Sequence, residues 1–233
     1  PYVALAAWVL GRPARICYSR GESMRASTKR HPSDIRLAVG CDEIGRISGF
    51  VFDGIFNTGA YASWGPTVAN RVPIHASGPY ATKDYRANSV AVHTNAPPAG
   101  AFRGFGVPQS AVAQECAFDL LAEKLGMDRL AFRRLNALKN GVPTVTGQVF
   151  NSGVGIDDCF AALEDNWHAA NAYATSFNQI AIRDDSPWRK GVGIASCWYG
   201  CGNTSLPNPS TMRMGITADG KIVLHQGAMD IGQ

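Results

Sequence analysis

The chain has 233 residues, 45% hydrophobic and 17% charged, with a formal net charge of +4. This apolar share excludes a disordered polyelectrolyte, and a mild positive charge spread along the sequence says little about nucleic acid. The length leaves room for one or two domains with a hydrophobic core, and 25 glycines and 13 prolines announce many turns and close backbone approaches.

Pro1 to Leu10 has helical composition and meets a stop at Gly11 with Pro13 beyond. It is too short to span a membrane and lacks the charged front of a signal peptide. This apolar start, and an end at Met229–Gln233 just after an apolar strand, read as cuts in a longer polypeptide. Ala14 to Ser19 reads as a short strand and Gly21 to Pro32 as a solvated loop. Asp34–Gly40 and Gly45–Asn57 form an antiparallel pair about a turn at Cys41–Gly45, alternating through Ile35, Leu37 and Val39, then Ile47, Gly49 and Val51. Residues 54–79 hold too much glycine and proline for a packed helix and too many aromatics for a linker, so they are expected to lie over something. Tyr85–Thr94 alternates as a strand. A helix follows with Pro108 in its first turn, apolar positions at Val112, Cys116, Leu120 and Leu121, and Gly126 as its stop.

Asp128 caps a second helix running through Leu130, Phe132, Leu135 and Leu138 to Gly141, and Asp157 or Asp158 opens a third through Phe160, Leu163 and Trp167. Residues 171–189 read as a loop or boundary. Gly191–Gly200, Met212–Thr217 and Lys221–Gln226 are strand-like, with Asp219-Gly220 as a hairpin turn. Strands, then helices, then strands give an α+β (mixed α/β) fold, incomplete at its C-terminal edge. The six cysteines mostly lie in apolar runs and read as buried thiols of a cytoplasmic protein; Cys197 and Cys201 are a close pair but lack the further ligands of a structural zinc site.

Chemistry is expected at Ala101-Phe-Arg-Gly-Phe-Gly106, directly before a helix. Free backbone N–H groups, a positive helix end and one guanidinium suit an anionic, phosphate-bearing or oxo ligand. A tight turn with Arg103 as a surface charge is the plainer alternative. Arg71 lies in the glycine- and aromatic-rich stretch that resembles site lining. His75 and His93 have no partner at a metal-ligand spacing, and no nucleophile triad, HExxH or paired carboxylate is present. An enzyme built this way would take its hard chemistry from a cofactor.

The run Thr94-Asn95 and Pro97-Pro-Ala-Gly-Ala-Phe-Arg-Gly-Phe-Gly-Val-Pro-Gln109, with the helix Ala113–Asp128, resembles the molybdenum-binding subunit of the xanthine dehydrogenase and aldehyde oxidase family. So do Leu5-Ala-Ala-Trp8, Gly11-Arg-Pro13, Arg30-His-Pro32, Arg133-Arg-Leu-Asn136 and the run from Gly227 to Gln233, all in the family's order. The resemblance implies a first molybdopterin-binding domain over 1–185 that lacks its N-terminal part. Residues 186–233 would be its last strands and the start of a second such domain. It also implies oxidative hydroxylation of a purine-like N-heterocycle or an aldehyde at molybdenum held through molybdopterin, in bacteria often as the cytosine dinucleotide. Electrons would pass to 2Fe-2S and FAD groups on partner domains or subunits, and neither nucleic acid nor membrane would be bound.

By position, the resemblance makes Phe102, Arg103, Gly232 and Gln233 cofactor contacts, with no direct protein ligand to the metal. Phe105 becomes a substrate-stacking ring, and Arg71 the catalytic group that polarises the substrate. The family's glycine-rich loop is expected before Pro1 and its base Glu after Gln233, outside this sequence. A further substrate-facing position aligns loosely with Gly202, Asn203 or Thr204. The competing expectations are a catalytically inactive structural or assembly fragment that binds partner chains, and a phosphate-binding module using the Arg103 loop.

Overall fold

The computed structural model describes residues 1–200 and 210–228. At its centre stands a three-stranded sheet of order β1-β2-β3. β1 (Ser33–Cys41) and β2 (Ile47–Gly59) pair antiparallel, as expected, while β3 (Asp84–His93) lies parallel to β2. Asp42 shapes the β1–β2 turn, its carboxylate accepting the Ile44 and Arg46 N–H groups at 3.1 and 2.8 Å. In this register Leu37 faces Phe52 and Val39 faces Phe50. The buried face of β2 is therefore Phe50, Phe52 and Phe56, and of the alternating Ile47, Gly49 and Val51 only Ile47, beyond the bulge at Gly40/Cys41, is buried.

Parallel neighbours need a crossover, and residues 54–79 supply it in a form their composition argues against. Gly65–His75 is a helix, α3, that packs on β2 and β3 and buries Val68, Ala69, Val72, Ile74 and His75. Pro66 fits its first turn, but Pro73 has no N–H to give the Ala69 carbonyl. The Ser89 hydroxyl of β3 donates to that carbonyl at 2.6 Å, and Tyr85, also on β3, donates to the Pro73 carbonyl. The sheet thus replaces what the proline removes, and the glycine- and proline-rich stretch packs as a helix after all.

At the N-terminus α1 (Tyr2–Leu10) ends at left-handed Gly11 as expected and buries none of its residues. The expected strand at 14–19 takes no regular structure. Ser19 instead caps α2 (Arg20–Ala26) in a reciprocal pair with Glu22, which makes a helix of part of the expected loop. On the same face of the sheet lie α4 (Val107–Lys124), which packs on β1 and against α3, and α5 (Arg129–Asn136), which packs on α4. Asp128 caps α5 through the Leu130 and Ala131 N–H groups, both at 2.9 Å, and its second oxygen accepts the Trp167 indole N–H at 2.8 Å.

Trp167 belongs to α6, which runs from Ile156 to Arg183 and so replaces most of the loop or boundary expected over 171–189, leaving only 184–189 outside regular structure. Its buried residues Phe160, Trp167, Ala174 and Ala181 recur every seven positions; the two alanines extend the seam beyond where large apolar residues mark it. Residues 191–200 alternate half-buried and exposed, with Val192 and Ile194 against the core, yet no strand pairs with them among the described residues. β4 (Arg213–Ile216) and β5 (Ile222–His225) form the hairpin expected about Asp219-Gly220.

The expectation of buried thiols fails: Cys17, Cys116, Cys159 and Cys197 are exposed, Cys41 is half-buried, and Cys201 lies outside the described residues. No helix among the described residues is long and apolar enough to cross a membrane.

Candidate active site

Between β3 and α4 the chain makes a tight loop at Phe102–Gly106 in which Gly104, Phe105 and Gly106 all take positive φ, at 85°, 45° and 98°. Gly106 must be glycine twice over: a Cβ there would lie 2.7 Å from Val72 Cγ2 and 3.1 Å from the Val68 carbonyl. The loop is therefore seated on α3, the helix that carries Arg71. Phe105 meets the edge of Trp64, with ring centres 6.3 Å apart. Phe102 is 46% exposed, with the Arg30 guanidinium 4.7 Å above its ring centre.

Arg103 is exposed, and among the described residues its guanidinium makes no hydrogen bond or ion pair. The amides of Phe102, Arg103, Gly104 and Gly106 likewise have no acceptor among them. Gly106 caps α4 without a side-chain bond, leaving the positive end of that helix uncompensated. An exposed guanidinium, unbonded amides and a helix N-terminus fit an anionic cofactor such as a pterin phosphate. Gly232 and Gln233, the other expected cofactor contacts, lie outside the described residues, as do Gly202, Asn203 and Thr204.

Arg71 sits one α3 residue before Val72. Its guanidinium donates to the Gly200 carbonyl at 3.2 Å and lies 5.1 Å from the centre of the Tyr199 ring. One turn on, His75 is buried and stacks on Tyr199, with centres 5.4 Å apart. Its Nδ1 contacts the Arg71 carbonyl and its Nε2 accepts the Gly200 N–H, each at 3.2 Å. These partners fix the neutral tautomer with the proton on Nδ1. Burial first, and the Arg71 charge after it, hold the His75 pKa below its ordinary value despite the contact with the Arg71 carbonyl. Sequence reasoning left His75 as an ordinary histidine; only the return of Trp198–Gly200 over α3 reveals what it does.

Sequence reasoning also missed a buried polar cluster under α4. Glu115 Oε2 accepts Arg133 Nε at 2.7 Å, and Glu115 Oε1 accepts the Tyr80 hydroxyl at 2.9 Å and Gln114 Nε2 at 3.0 Å. Arg133, with no exposed side-chain surface, also pairs with Asp119 at 2.8 Å. Ser196 Oγ lies 2.7 Å from the Tyr80 hydroxyl, which ties the segment carrying Tyr199 and Gly200 to this cluster. Burial, reinforced by the Glu115 charge, pushes the Tyr80 pKa upward, so it stays a donor. The face of α4 turned inward is thus Ser110, Gln114, Glu115, Phe118 and Ala122, while Val112, Cys116 and Leu120 of the expected apolar face are exposed.

Two clefts of about 720 and 730 Å³ lie over the β1–β2–β3 sheet and beside α5, and neither is lined by Arg71 or the loop. Among the described residues no group of His, Cys, Asp and Glu could hold a metal ion directly.

Fold and motifs together define a cofactor-binding domain. The family described as "Molybdopterin cofactor-binding domain" matches residues 1–137, and a second family of the same description matches residues 162–233. The chain belongs to the molybdenum hydroxylase family. It is 41% identical over 155 residues to the nicotinate dehydrogenase large molybdopterin subunit of Eubacterium barkeri, covering 66% of this chain and 36% of that protein. To a probable xanthine dehydrogenase subunit of Bacillus subtilis it is 33% identical over 100% of this chain and 30% of the relative. The aldehyde oxidoreductase of Desulfovibrio gigas superposes with a TM-score of 0.67 at 31% identity, over 75% of this chain and 19% of that one. The chain therefore spans about a third of the length of these curated relatives.

Proposed function

We propose that this chain is the part of a molybdenum hydroxylase large subunit that holds molybdopterin through Phe102, Arg103, Gly232 and Gln233 and presents Arg71 and Phe105 to the substrate. When bound, that cofactor supplies two-electron oxidation with oxygen transfer to carbon. The residues here bind and orient. The loop amides and Arg103 take anionic groups of the cofactor, Phe105 offers a ring face, and Arg71 stabilises negative charge developing on a heterocycle. The observation that supports this reading is the seating of Gly106 between Val68 and Val72, which packs the loop on α3, the helix that carries Arg71. Relatives named for nicotinate and xanthine support a nitrogen heterocycle, and a relative named as an aldehyde oxidoreductase keeps an aldehyde beside it.

On this reading residues 1–185 belong to the first molybdopterin-binding domain, and 186–233 hold its last strands and the start of the second. Electrons leave to 2Fe-2S and FAD partners in the cytoplasm, and the base is supplied by the remainder of the subunit. In the complete enzyme, Arg71→Met is expected to lower kcat/KM for a heterocycle by about 10²- to 10³-fold, and for an aldehyde by less than about tenfold. Equal losses on both substrates would remove Arg71 from the substrate role.

A second reading, an inactive assembly module, draws on α1, whose Tyr2, Leu5, Trp8 and Val9 are exposed. Metal analysis of the complete subunit separates the two, since only the first requires molybdenum.

A further inference from the structure

The Phe102–Gly106 loop holds a conformation that its own bonds do little to secure. Three successive residues at positive φ include Phe105, a side chain rarely found there. Such a turn persists only where its surroundings over-determine it. Internally the loop has two hydrogen bonds, from the Phe105 N–H to the Phe102 carbonyl at 2.7 Å and from the Val107 N–H to the Gly104 carbonyl at 2.9 Å.

One side chain from far away in sequence meets the loop at both ends. Arg30 stacks on the Phe102 ring, donates through Nη2 to the Arg103 carbonyl, and donates through Nη1 to Gln109 Oε1 at 3.3 Å. Gln109, in the first turn of α4, donates in turn to the His31 carbonyl at 3.2 Å, closing a ring of contacts. The backbone that carries Arg30 is itself fixed, because the Lys29 N–H donates to the Pro98 carbonyl at 3.0 Å and the Gly100 N–H to the Lys29 carbonyl at 3.1 Å.

We propose that Arg30 is a positioning residue that clamps the Phe102–Gly106 loop through its planar fork, one arm on the loop carbonyl and one on the first turn of α4, with its face on Phe102. The clamp leaves Arg103 and the loop amides turned to a ligand. A lysine has the charge but neither the fork nor the stacking plane, so it cannot replace it. This proposal rests on the reading of the loop as a cofactor contact, yet what it specifies is the loop's shape.

The test compares Arg30→Lys and Arg30→Ala in the complete subunit with two readouts: amide hydrogen exchange in the loop, with β2 as internal standard, and pterin and molybdenum content after gel filtration. Exchange of the Phe105 and Val107 amides is expected to quicken about tenfold or more in both variants, with β2 unchanged and pterin content reduced. Unchanged loop exchange overturns the proposal. So does full protection in the lysine variant, or a rise shared equally by β2. Faster loop exchange with undiminished pterin upholds the clamp and overturns the reading of the loop as a cofactor contact. Should Arg30→Ala fail to fold, Gln109→Leu removes one arm of the clamp and is read by the same amides, with unchanged exchange again overturning the proposal.

Discussion

Arg133 and Arg103 put the same guanidinium to opposite uses on the two stretches of α4. Arg133 meets the middle of the helix with no exposed side-chain surface, engaged by Glu115 at 2.7 Å and Asp119 at 2.8 Å. Arg103 stands just before the first turn, exposed, with no side-chain bond among the described residues. Desolvating a charge is affordable only when every donor finds an acceptor, so the buried arginine can serve the framework alone. An exposed one keeps its hydration until a ligand displaces it. The two are nevertheless connected: the Glu115 cluster holds Tyr80 and Ser196, and Ser196 leads within four residues to Gly200 beside Arg71. The buried charge sets the frame in which the exposed charges can be aimed.

Breaking the buried side should give the largest effect. Arg133→Met leaves Glu115 buried without its cation and is expected to cost about 3–5 kcal/mol in urea unfolding, whereas Arg103→Met should stay within about 0.5 kcal/mol while lowering pterin retention. Comparable stability losses would erase the distinction between framework and site. Gly106→Ala comes next, since it forces an L side chain to φ 98° and a contact 2.7 Å from Val72. A cost of about 1–3 kcal/mol is expected, measured as a lower urea midpoint with an unchanged slope. A neutral alanine would mean that the loop is not seated on α3 as described.

How legible these features are in the sequence depends on how local their causes are. The loop could be read because Gly-x-Gly before a helix dictates its own backbone, and the Asp128 cap and the Asp219-Gly220 hairpin are local in the same way. The buried face of α4 could not, because Val112, Cys116 and Leu120 make the better apolar stripe. Glu115 turns inward only because Arg133 and Tyr80, distant in sequence, meet it there. Period-two alternation in β2 fits both faces equally, and the choice falls to its pairing with Ile35, Leu37 and Val39. In α3 the helix survives Pro73 because a β3 hydroxyl takes over the released carbonyl. Arg30 reaches the loop from 73 residues away, with no local mark of its role.

The smallest expected effect probes the joint between frame and site. Neutral His75 accepts the Gly200 N–H through Nε2, and protonation would set a second N–H against the first, close to the Arg71 cation. Its folded pKa lies below the ordinary 6.5, with burial as the first cause. The unfolded chain therefore binds more protons in this range. The stability His75 contributes is fully present above about pH 6.5 and is lost as pH falls through the lower folded value. His31, depressed by burial and by Arg30, acts with the same sign, so a global melting curve cannot assign the loss. Two local probes can: exchange of the Gly200 amide, and emission of Trp198, whose ring centre is 5.6 Å from that of His75. Both should change between pH 7.5 and 5.5, before the β2 amides do, and His75→Gln should abolish the pH dependence at Gly200. A Gly200 amide equally protected at both pH values would show that the neutral imidazole is not what holds this segment over Arg71.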